Sequence, residues 1–159
     1  MKIAVLERNS VGTDIDVTCF EDFGEVTYYR NTVAADAAEK VKDVDIIIAN
    51  KAPMNEETLK DAPNVKLICE FATGFDNIDL EYCKKRRIKV ANVKDYSTAA
   101  VAQHTFALAL YLLEHLPHYD TYVKDGSYGA QDRFSNFDLP FTELAGKTWG
   151  IICLLYTSP

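Results

Sequence analysis

Along the first ninety residues, short apolar runs alternate with stretches of helical or turn character. Residues 2–6, 25–29, 44–49, 65–69 and 88–91 are rich in β-branched, leucine or aromatic side chains at strand length. The third run is apolar at nearly every position, which predicts a central parallel strand buried on both faces. Between the first two, Ile15, Val17, Phe20 and Phe23 mark a weakly amphipathic segment that Gly24 stops. Residues 34–41 are alanine-rich and helical, residues 55–61 form a helix ended by Pro63, and residues 79–85 form another. Strands alternating with short helices imply βαβ units, right-handed crossovers and a parallel sheet. The expected class is therefore α/β, a flavodoxin-like parallel five-stranded sheet flanked by helices.

The pattern changes after Asn92. Ser97 is a good N-cap, and Ala99, Ala102, Phe106, Ala109, Leu110 and Leu113 then recur at helical spacing. The other faces carry Val101, Thr105, Leu108 and Leu112, so this helix is apolar nearly all round and is expected to lie buried between partners. Pro117 opens a second helix that runs towards Lys124 before Gly126. Residues 134–141 read as a loop, and residues 148–152 as the start of a further strand.

The stretch around which the rest is organised is the end of the fourth run, where Cys69-Glu70-Phe71 breaks at Ala72-Thr73-Gly74. In open α/β sheets, ligands sit beyond the carboxyl ends of the strands. A glycine there lets backbone N–H groups of Thr73 and Gly74 approach a small anion, and Thr73 adds a hydroxyl. A plain strand-to-helix turn is the alternative.

The 159 residues are 48% hydrophobic and 26% charged, ordinary for a globular chain. A formal net charge of −7 argues against nucleic acid and against an anionic membrane surface as partner. No apolar run approaches the length of a membrane span, and the N-terminus reads as a strand and not a signal peptide, so the cytoplasm is the expected location. Cys19, Cys69, Cys83 and Cys153 show no C-x-x-C spacing and no histidine partners, which points to apolar fillers and to no metal site.

Four segments in order resemble the D-isomer-specific 2-hydroxyacid dehydrogenases. They are Ala49-Asn50-Lys51-Ala52-Pro53-Met54, Ala72-Thr73-Gly74-Phe75-Asp76-Asn77-Ile78-Asp79, Asn92-Val93-Lys94-Asp95-Tyr96-Ser97 leading into Ala100-Val101-Ala102-Gln103-His104-Thr105, and Glu143-Leu144-Ala145-Gly146-Lys147-Thr148-Trp149-Gly150-Ile151-Ile152. The resemblance implies a two-domain enzyme that reduces 2-oxo acids to D-2-hydroxy acids with NAD(P)H. Residues 1–96 would be its substrate-binding domain, and residues 97–152 the start of an NAD-binding Rossmann domain, with a long helix and a first strand. Gly74 and its neighbours would hold the substrate carboxylate through backbone amides, and Thr73 would lie near nicotinamide or substrate. Tyr96 and Val101 would line the same cleft. A tyrosine at position 96 is more typical of the lactate-reducing branch, with an ordinary hinge aromatic as the alternative. Members are commonly homodimers.

The resemblance stops after Ile152. The family continues with G-x-G-x-x-G, which seats the cofactor pyrophosphate on a helix N-terminus. This chain reads Cys153-Leu154-Leu155-Tyr156-Thr157-Ser158-Pro159, which resembles translated transposon-end sequence, so 153–159 is expected to be an artefactual tail on a truncated fragment. The family's catalytic histidine, glutamate and arginine would lie beyond residue 159, and no catalytic residue is assigned here. His104, His115 and His118 sit in or beside helices outside any matching motif and read as packed or surface histidines. Arg86 and Arg87 suit a helix C-terminus. NAD and NADP remain equally open. The competing readings are a stand-alone flavodoxin-like interaction or receiver module, whose acidic positions are here Glu7-Arg8 and Asn50-Lys51, and a dimerising fragment pairing through residues 98–113.

Overall fold

The computed structural model describes residues 1–152 and divides the chain into two compact units, Met1–Tyr96 and a second beginning at Ser97. The tail 153–159, with Cys153, lies outside the described residues.

In the first unit, β1 (Lys2–Val5), β2 (Glu25–Tyr28), β3 (Ile46–Ala49), β4 (Leu67–Glu70) and β5 (Lys89–Ala91) form one parallel sheet. Their order is β2-β1-β3-β4-β5, the flavodoxin-like order expected from the alternation of strand and helix. Helices α1 (Ala34–Val41), α2 (Glu56–Leu59) and α3 (Leu80–Arg86) make the crossovers after β2, β3 and β4.

Strand alternation sorts the side chains into two layers. Ala4, Leu6, Ile47, Ala49 and Ile68 face one side and pack with Val41, Leu59, Ala62, Cys83 and Ile88 from the helices and their connections. Ile3, Val5 and Ile48 face the other side, where a 3₁₀ turn (Thr18–Phe23) adds cover through Phe20. That second face opens into a groove of about 380 Å³ lined by Phe20, Phe23, Ile46, Cys69, Phe71 and Val93 among others.

Two elements differ in extent from the sequence expectation, each for a local reason. The helix expected over 55–61 is one turn, α2, capped by the Asn55 side chain on the Thr58 N–H at 3.1 Å. Arg86 completes its far end by donating to the carbonyls of Leu59 (2.8 Å) and Ala62 (3.0 Å). This guanidinium therefore ties α3 to α2 instead of merely facing solvent. The amphipathic stretch before Gly24 is 3₁₀ and begins only at Thr18, because Asp16 turns the chain there by accepting from the Thr18 N–H and hydroxyl.

The second unit holds α4 (Thr98–Leu113), α5 (Leu116–Lys124) and α6 (Ser127–Ala130), the last not foreseen. Ser97 takes the N-cap position of α4, yet its side chain makes no capping hydrogen bond. No residue of α4 is buried within this chain; Val101, Phe106, Leu108 and Leu112 are all more than half exposed, so the faces expected to lie between partners are open here. Phe106 packs on Trp149 with ring centroids 5.0 Å apart. The strand expected at 148–152 is not formed. A strand of a parallel sheet is held by ladder bonds from neighbours, and no other strand of the described residues lies in this unit to supply them.

Candidate functional site

The carboxyl edge of the sheet gathers the exits of β1, β3 and β4. After β4, residues 72–78 form a loop clamped on both flanks. On one flank, the Val93 N–H donates to Ala72 O at 3.1 Å, Asn92 Nδ2 to Thr73 O at 2.7 Å, and the Thr73 hydroxyl to Val93 O at 2.8 Å. On the other, Met54 pairs with Ile78: the Met54 N–H donates to Asn77 O at 2.8 Å and the Asp79 N–H to Met54 O at 2.9 Å. Asp79 then caps α3 by accepting from the Tyr82 N–H at 2.9 Å. The loop is thus an ordered platform, not a slack connection.

Among the described residues, the N–H groups of Gly74 and Phe75 in this platform make no hydrogen bond. Gly74 is only half-buried. Unspent successive amides at a strand's carboxyl end are donors for an anion.

Two carboxylates that the sequence reading passed over hold the edge from below. Glu7, 7% exposed at the end of β1, accepts from the N–H groups of Asn50 (2.6 Å) and Lys51 (2.9 Å), fixing the exit of β3. Glu70 ends β4 and is 2% exposed on the helix-covered face. Its Oε2 accepts from Asn77 Nδ2 at 3.3 Å, and Asn77 Nδ2 also donates to Ala52 O at 3.1 Å. Glu70 Oε1 has no hydrogen-bond partner among the described residues. Burial pushes its carboxyl up from 4.5 to about 7; the nearby Glu7 and Asp76 charges add to the rise, while Asn77 and Lys51 oppose it. The sequence signal for both was a single acid at the end of an apolar run, a residue type almost never buried without a reason.

Of the residues singled out from sequence, Thr73 and Gly74 lie together in the clamped loop. The Thr73 hydroxyl spends its proton on Val93 O, so it offers lone pairs and not a free donor. Tyr96 ends the first unit, 64% exposed, and Val101 lies in the first turn of α4, 59% exposed. His118 packs against the rings of Tyr119 and Tyr122. Cys19, Cys69 and Cys83 are free thiols. Among the described residues, no three His, Cys, Asp or Glu side chains converge as metal ligands, and no helix is long and apolar enough to cross a membrane.

The five-stranded parallel sheet, with the Gly74 loop at the carboxyl end of β4, defines an α/β protein of flavodoxin-like order. The family model for the D-isomer specific 2-hydroxyacid dehydrogenase catalytic domain matches residues 3–157, and the chain belongs to that family. It is 35% identical over 156 residues to a hydroxypyruvate reductase of Blautia hydrogenotrophica, covering 96% of this chain and 48% of that one. A glycerate dehydrogenase of Methylorubrum extorquens is 33% identical over 152 residues, with 95% and 48% covered. Among solved structures, D-lactate dehydrogenase from Aquifex aeolicus, complexed with NAD and lactic acid, superposes with a TM-score of 0.68 at 29% identity, covering 91% of this chain and 41% of that one. An acyclic imino acid reductase with NADPH and D-Arg shares the fold with a TM-score of 0.71 at 23% identity, covering 89% and 44%. The chain spans about half the length of the curated relatives it matches. The receiver alternative finds no support: Glu7 is turned onto the Asn50 and Lys51 amides.

Proposed function

We propose that residues 1–96 are the substrate-binding part of an oxidoreductase that reduces 2-oxo acids to D-2-hydroxy acids with NAD or NADP. The observation that carries this reading is the pair of unspent amides at Gly74 and Phe75, held on an ordered loop. They grip the substrate carboxylate, and Thr73 lies near the nicotinamide or the substrate. Tyr96 and Val101 complete the cleft in the whole enzyme, which works in the cytoplasm as a homodimer; the exposed apolar residues of α4 supply the surface for pairing.

The described residues of this chain do not by themselves fit a dinucleotide. Residues 148–152 form no strand to lead into a pyrophosphate-binding turn. Reduction of a 2-oxo acid also needs an acid for the carbonyl oxygen and a cation for the carboxylate. No histidine of the chain lies on the Gly74 loop. The chain is therefore expected to bind the acid and not to turn it over. Calorimetric titration of the purified 159-residue chain with glyoxylate, pyruvate and hydroxypyruvate tests the first half, and NADH absorbance in the same mixtures tests the second. Weak saturable binding with no NADH loss is expected. Oxidation of NADH by the pure chain would overturn the assignment of the catalyst to residues outside it.

A further inference from the structure

The buried Glu70 carboxyl takes no part in the reaction proposed above, yet it sits under the loop that reaction needs. Its neighbours define the electrostatics. Glu7 approaches from the exit of β1, Lys51 from the exit of β3, and Asp76 from the loop itself, two acids against one base. Asn77 is the mechanical link. Its side chain bridges Glu70 Oε2 and Ala52 O, and its backbone carbonyl receives the Met54 N–H. Any change at Glu70 therefore reaches both the 52–54 segment and the far end of the 72–78 loop.

We infer that Glu70 is a proton-linked positioning residue for the carboxylate cradle: it anchors Asn77 beneath the loop, uncharged it leaves no buried charge there, and ionised it opposes the arrival of a second negative charge at Gly74. This rests on the carboxylate reading of the Gly74–Phe75 amides. Either form of Glu70 accepts from the Asn77 amide, the carboxylate more strongly, but ionisation leaves a buried charge beneath the loop with one oxygen still unpartnered. Ionisation thus adds a negative charge below the cradle, and that charge weakens the grip on an anion. By linkage, a bound carboxylate holds the proton on Glu70 more tightly.

The test uses oxamate, a monoanion across the relevant range, with the purified chain and its Glu70→Gln variant at pH 6 and pH 8. Affinity of the unaltered chain should fall by about five- to tenfold between the two values, the scale of one partly screened charge nearby. Glu70→Gln, uncharged at both, should keep the tighter affinity throughout. Independently of any ligand, the Asn77 side-chain amide signals should titrate with a midpoint near pH 7 in the unaltered chain and stay flat in the variant. A merely structural Glu70 would leave the ratio of affinities at the two pH values equal in both proteins. That equality, or a slope that survives in Glu70→Gln, overturns the inference and leaves the carboxylate site standing. Absence of oxamate binding at either pH, with the Asn77 signals still titrating, sinks the carboxylate reading and the inference with it.

Discussion

Replacing Glu70 by glutamine raises the thermal midpoint of the first unit at pH 8 and leaves it nearly unchanged at pH 4. The sign follows from the direction of the shift. Glu70 is pushed up from 4.5 to about 7, so the folded chain binds the proton more tightly than the unfolded one. Its contribution is intact below pH 4.5, is lost progressively as pH rises from about 4.5 to about 7, and is constant above that. A shift of this size corresponds to about 3 kcal/mol. Glutamine keeps the shape and the acceptor for Asn77 without the charge, so the gap between variant and parent should open across the same window. For a unit of this size, Met1–Tyr96, that amounts to roughly 10–25 °C at pH 8. Paired thermal melts at pH 4, 6 and 8 measure it. Equal midpoints at pH 8 would mean that Glu70 is already comfortably ionised in the fold.

Truncating Glu7 to alanine has the opposite effect and costs about 3 kcal/mol in urea unfolding at pH 7, because two backbone amides lose a charged acceptor inside the fold. Glu7→Gln, which keeps one acceptor oxygen, should cost less than half as much. Amide hydrogen exchange at Asn50 and Lys51 should quicken in both variants, while exchange at Ile47 in the middle of β3 follows only the global loss. Removing the Glu7 charge also relieves Glu70, so the titration of Glu70 should move down. A Glu7→Ala cost below about 0.5 kcal/mol would show that water replaces the carboxylate without penalty. Two buried acids on one edge thus differ in kind: Glu7 gives its oxygens to backbone donors, whereas Glu70 leaves one oxygen without a partner.

That distinction marks where sequence reading stops. The sheet was legible because Ile46, Ile47 and Ile48 leave no polar face, and the strand order followed from helices spaced between strands. The Gly24 stop was legible because a glycine acts on its own neighbours. Glu7 and Glu70 read as mere strand ends, since their partners lie 43 residues away in one case and across a loop in the other. Arg86 likewise read as a helix-end charge, because its carbonyl acceptors belong to the end of α2. The strand at 148–152 failed for a complementary reason: apolar pattern proposes a strand, and only neighbouring strands can hold one. The candidate site was half legible. Thr73 and Gly74 stood out from a glycine at a strand end, but the direction of the Thr73 hydroxyl depended on Val93, twenty residues on.

The central claim is that the Gly74 and Phe75 amides receive a carboxylate. Backbone ¹⁵N–¹H spectra of the chain at pH 6, recorded as oxamate is added, test it directly. The account predicts saturable downfield movement concentrated at Gly74 and Phe75, with small changes at Asn77 and none at the amides of β2. Uniform small drifts over the whole surface, or saturable shifts that leave Gly74 and Phe75 unmoved, would contradict it.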